Sequence, residues 1–118
     1  MSEVAYKLVD RAEWRAALAA GAYAGSVVDR ADGYIHMSTL AQLAETARRH
    51  YAGRTDLVLV EVALAPLGEA LKWEASRGGD LFPHLFAPLP ASTDAPQRRL
   101  SVDAEGVMRF EGGTVGWP

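Results

Sequence analysis

Leu57-Val58-Leu59-Val60-Glu61-Val62-Ala63-Leu64 is the stretch on which the fold turns. Apart from Glu61 it is apolar throughout and rich in β-branched residues, the pattern of a strand covered on both faces in the middle of a sheet. It is far shorter than the roughly 18 residues a membrane-spanning helix needs. Just upstream, Ser38-Thr39 offers an N-cap, and Gln42, three residues after Thr39, completes a capping box. Leu40, Leu43, Ala44, Ala47 and Tyr51 then recur at helical spacing, with Glu45, Arg48 and Arg49 on the other side and Gly53 as the stop. Downstream, Pro66, Gly68 and Glu69 form a turn. Period-two alternation from Ala70 to Glu74 predicts a strand with Leu71 and Trp73 on one face and Lys72 and Glu74 on the other.

Further from this centre, Ser76 to Asp80 reads as a polar loop. Pro83 holds Phe82 extended and cannot donate to a ladder, so Leu81 to Phe86 reads as a constrained loop entering a strand. Pro88, Pro90 and Pro96 break the next stretch. Arg99–Val102 and Val107–Phe110 are expected to pair as a hairpin around Asp103-Ala104-Glu105-Gly106. Toward the N-terminus, Tyr6 to Val9 alternates weakly, and Asp10 with Glu13 marks a helix start near Arg11. Trp14, Ala17 and Leu18 share a face of that helix, and Gly21 stops it. Ala22 to Gly33 reads as a loop with one short extended piece at Val27-Val28, and Tyr34 to Met37 as a short strand. The expected fold is a small α+β domain, two helices in its first half and a strand-rich second half, with residues 1–111 forming one domain and 112–118 a flexible tail.

The composition narrows the function by exclusion. With 49% hydrophobic and 23% charged residues, the chain has the makings of a folded core, and 118 residues suit a single one. A formal charge of −3 argues against nucleic acid as a partner. The absence of cysteine excludes disulfides, thiolate nucleophiles and thiol-ligated metals. The acidic start Met1-Ser2-Glu3 is unlike a signal peptide, so a cytoplasmic protein with no membrane association is expected. Oligomeric state is left open.

Two segments concentrate the chemistry: Gly33-Tyr34-Ile35-His36-Met37-Ser38, and Lys72 through Phe86 with Trp73, Glu74, Phe82, Pro83 and His84. His36 sits on a strand that runs into a helix N-terminus, where free N–H groups favour an anion; it reads either as part of such a site or as a hydrogen-bonded interior residue. Ser38 is a candidate ligand contact or a cap. Glu74, beside an aromatic residue, is a candidate acid or base, or else the ion-pair partner of Lys72. His84 is a core histidine or a titrating group at a cleft mouth. Trp73 and Phe82 are available to stack a planar ring or to pack. His50, after Arg48 and Arg49, complements the helix dipole. His36, His84 and Glu74 have the composition of a facial metal triad but lack any local ligand pair, and no metal is expected. No Gly-x-Ser-x-Gly turn or phosphate-binding glycine loop occurs.

Asp32-Gly33-Tyr34-Ile35-His36-Met37-Ser38, Leu71-Lys72-Trp73-Glu74-Ala75-Ser76 and Phe82-Pro83-His84-Leu85-Phe86, in this order, resemble the hallmarks of the small bacterial domain of unknown function 952 family. The likeness runs from about Tyr6 to Phe110. It implies a distant relation to the ADP-ribosyltransferase-like fold, with split β-sheets that bind NAD as a substrate in the cleft between them. The implied chemistry is cleavage of the nicotinamide N-glycosidic bond, or a related ribosyl or phosphate transfer. On that resemblance His36 would contact the nucleotide ribose. Glu74 or His84 would take the late position that steadies an oxocarbenium-like transition state and orients the acceptor, and Ser38, Trp73 and Phe82 would contact the substrate. The sequence departs from the transferase pattern in having no Tyr or Ser clearly placed on a middle strand and no Glu-x-Glu or Gln-x-Glu turn before the last position. The alternative is a non-catalytic ligand-binding or protein-interaction module using the same histidine-lined cleft.

Overall fold

In the computed structural model, which describes residues 3–112, the chain runs β1 (Val4–Asp10), α1 (Arg11–Ala20), β2 (Ala22–Tyr23), α2 (Val27–Asp32), β3 (Ile35–His36), α3 (Leu40–His50) and β4 (Leu57–Ala63). The second half continues with β5 (Leu71–Ala75), β6 (Leu81–Leu85), β7 (Leu89–Pro90), β8 (Gln97–Val102) and β9 (Met108–Phe110). Short 3-10 turns occupy Ala65–Ala70 and Arg77–Gly79. This is a mixed α+β architecture of antiparallel sheets. Of the tail expected to be flexible, residues 113–118 lie outside the described residues.

The apolar stretch at Leu57 does lie inside a sheet. β4 is flanked by β1 and β8 in the order β1-β4-β8-β9, paired from Asp10↔Leu57 to Val4↔Ala63 on one side and from Leu57↔Leu100 on the other. Its alternate residues feed two cores. Val58, Val60 and Val62 join Ala5, Val9, Trp14 and Leu85 on one face, while Leu57 and Leu59 join Tyr6, Leu8, Leu43, Ala47 and Leu100 beneath α3 on the other. The expected terminal hairpin is β8–β9. Its Gly106 has φ +87°, and a Cβ there would lie 2.6 Å from the Arg48 Cα, so only glycine lets this turn close on α3.

The cap at Thr39 behaves as expected, and Asp10 caps α1 without the return bond from Glu13 that a reciprocal pair would make. Asp10 accepts from the Ala12 and Glu13 amides, and Thr39 and Gln42 form the reciprocal box. Two expectations require correction. Ala22 to Gly33 is not a loop: it holds β2 and α2, which makes three α-helices in the first half rather than two. The helix was hidden because Val27 and Val28 point to solvent, at 73% and 62% exposure, leaving no apolar periodicity to read. It is held instead by a capping box between Ser26 and Asp29 and by a left-handed Gly33 at its end. Pro83, for its part, lies within β6, the central strand of the sheet β3-β6-β5. Its carbonyl accepts from the Met37 amide, so its nitrogen faces that same side, just past the end of β3, where no ladder donor is needed. Among the described residues no helix is long and apolar enough to cross a membrane.

Candidate functional site

The sheet β3-β6-β5 separates chemistry from packing by simple alternation. Ile35 pairs with Leu85 and Leu71 with Leu85 on the face that joins the core. His36 pairs with His84, and Glu74 with Phe82, on the opposite face. The two imidazoles are therefore cross-strand neighbours, with ring centroids 5.6 Å apart. Tyr34 lies against both, at 4.6 Å from His36 and 4.2 Å from His84, and stacks on Phe86 at 5.1 Å.

Each imidazole is oriented by a carboxylate. His84 Nδ1 is 2.8 Å from Glu74 Oε1. His36 Nδ1 is 2.6 Å from Asp29 Oδ1, and its Nε2 is 2.9 Å from Asp32 Oδ2. Asp29 is the hub. It is 2% exposed and accepts from the Ser26 and His36 amides while pairing with Lys7 Nζ at 3.0 Å. Burial opposes its ionisation, but the His36 hydrogen bond, the Lys7 charge and the two amides outweigh that and hold its carboxyl well below the usual carboxylate range. Lys7, equally buried, is pulled below the ordinary lysine range by desolvation, which the Asp29 charge only partly offsets. The Tyr34 hydroxyl is raised by burial and by the Asp32 and Glu74 carboxylates.

A cavity of about 400 Å³ opens beside these groups, and His36, Ser38, Phe82 and His84 line it together with Lys7 and Asp29. Stretches far apart along the chain thus meet at one hollow. Glu74 does not line it and reaches it only through His84, its partner in place of Lys72. Trp73 also lies outside the lining, packed against the first core on the far face of β5. Ser38 does not cap; its hydroxyl bonds Thr46 at 2.8 Å, and Thr39 caps α3 instead. In the first turn of α3 the capping box engages the amides of Thr39 and Gln42. His50 faces the cavity besides closing the helix. Among the described residues no cluster of three or more His, Asp or Glu is arranged to hold a metal ion.

Sequence reasoning did not assign Lys7, Asp29, Asp32 or Tyr34. A signal existed for two of them: Lys7 is a charge set inside the mostly apolar run Val4 to Val9, and Ser26-x-x-Asp29 is a capping pair. Nothing local joins Asp29 to His36.

Comparison with known proteins places the chain. No curated protein matches it. The crystal structure of protein CC0527 from Caulobacter crescentus is 50% identical, covering 90% of this chain and 93% of that one, with a TM-score of 0.83. The solution NMR structure of the same protein is 50% identical over 90% of this chain and 91% of that one, with a TM-score of 0.76. The family described as "Protein of unknown function (DUF952)" matches residues 8–93. With that match spanning most of its length, and a solved structure 50% identical over 90% of the chain, the chain belongs to this family of unknown function.

Proposed function

We propose that the cavity binds a nucleotide, with NAD as the substrate, and that the histidine pair serves an ADP-ribosyltransferase-like reaction. One observation carries this reading: two imidazoles 5.6 Å apart, each held by a carboxylate, share one cavity of about 400 Å³. In such a transfer the bond from ribose C1′ to the nicotinamide nitrogen breaks and nicotinamide leaves with the electron pair. An acceptor oxygen or nitrogen bonds to C1′ and gives up its proton. An imidazole within hydrogen-bond reach of the acceptor can take that proton, and fixed dipoles near C1′ stabilise the oxocarbenium-like charge. His36 would contact the ribose and His84 would orient the acceptor, with Ser38 and Phe82 completing the pocket. Asp29 and Glu74 then act as positioning residues, through His36 and His84.

A non-catalytic binding module using the same cavity is the second reading. It is favoured by the occupation of both ring nitrogens of His36 by carboxylates.

A thermal-shift screen with NAD, ADP-ribose and related phosphates tests the binding claim. Ligand at a hundred times its dissociation constant should stabilise the fold by about 2.7 kcal/mol. His36→Asn, which keeps a polar partner for Asp29, should abolish the shift while the unliganded protein stays folded. No shift with any nucleotide overturns the proposal. Nicotinamide release from NAD separates the enzyme from the module.

A further inference from the structure

We infer that the groove between α1 and β8, on the side of the molecule built by neither histidine, is a docking surface for an extended acidic peptide segment of a partner protein. Arg11, Trp14, Arg15 and Leu18 fall at i, i+3, i+4 and i+7 and form one stripe along α1. Across from it, Gln97 and Arg99 share a face of β8, and Val58 of β4 pairs with Arg99. These residues enclose a groove of about 360 Å³. Trp14 Nε1 donates to Gln97 Oε1 at 2.8 Å and fixes one wall to the other. The floor, Leu18 and Val58, is aliphatic, and the rim carries the guanidinium groups of Arg11, Arg15 and Arg99. Arg98 borders the groove too, but its guanidinium lies over the Phe110 ring at 4.8 Å.

The rim cations are loosely engaged. Arg11 meets Asp56 at 3.5 Å and Arg99 meets Glu111 at 3.4 Å, both at exposed positions where such pairs contribute little. Among the described residues Arg15 has no ion pair. Arg11 also stands at the first position of α1, the positive end of its dipole, where a cation is unfavourable. A chain with a formal charge of −3 thus gathers three planar donors, two from α1 and one from the distant β8, over a small apolar floor. Guanidinium forks suit carboxylates, and the floor suits one aliphatic side chain between them. A nucleic acid fits less well, because the groove offers bases no exposed ring: Trp14 is only 2% exposed.

Fluorescence anisotropy of the full chain tests this, using a labelled peptide of glutamates with a central leucine, its all-lysine counterpart, and single-stranded DNA of matching charge. The acidic peptide should bind saturably and more weakly as salt rises, and the lysine peptide should not bind. Arg15→Glu and Arg99→Glu should each weaken binding about tenfold or more, the equivalent of one charge-assisted contact. Arg15→Gln provides a milder variant should charge reversal disturb α1, with folding checked by circular dichroism. Absence of saturable binding, equal affinity for the variants, or tighter binding of the DNA would each overturn the proposal.

Discussion

Lys7 and Asp29 are both nearly closed to solvent, and neither is replaceable on equal terms. Removing the carboxylate strands a buried ammonium, so Asp29→Ala should cost about 3–5 kcal/mol in a urea unfolding experiment. Lys7→Met should cost clearly less, because Asp29 keeps His36 and two backbone amides. Equal losses would refute the hub assignment. The same group predicts a pH dependence. Its folded-state carboxyl titrates below the unfolded value of about 4, so the unfolded chain binds the extra proton. The stability it contributes is present above that value and is lost as the pH falls below it. Unfolding midpoints measured down the acid limb should therefore fall more steeply for the native chain than for Asp29→Asn; parallel profiles would contradict this. Much of the histidine face was legible at this scale, since His36 and His84 each stand beside apolar residues on short alternating strands. Asp29 was not, because its partners Lys7 and His36 reach it only once β1, α2 and β3 converge.

Among the elements, α2 depends most on its ends. It has six residues, too few to be stable by propensity alone. Ser26→Ala should cost about 1 kcal/mol through loss of the cap. It should also weaken nucleotide binding in the thermal-shift assay, since Asp29 belongs to the same box. Lost stability with unchanged binding would separate the helix from the site. The contrast with α3 explains what sequence can reveal. α3 carries both a box and an apolar stripe of which Leu43 and Ala47 are buried, whereas the only buried side chain of α2 is an aspartate. β4 was likewise plain from its unbroken apolar run, because burial on both faces leaves a direct trace in composition. β6 was obscured by Pro83, whose tolerance depends on β3 ending one residue before it would need a donor.

At the scale of the whole molecule, the central sheet keeps two surfaces apart. The histidine cavity lies beyond β1, which is held by the Tyr6–Ser38 bridge, and the arginine groove lies over β4 and β8. A ligand entering the cavity should leave the groove unchanged, and side-chain signals of Arg15 and Arg99 should stay fixed in NMR spectra as nucleotide is added. Whether the two histidines share one binding site is tested by an imidazole-detected NMR titration of the full chain with ADP-ribose. The resonances of His36 and His84 should move together, saturably and with a single dissociation constant, while the rest of the spectrum shifts only around the cavity. Histidine signals that stay still throughout, or that move independently of one another, would contradict it.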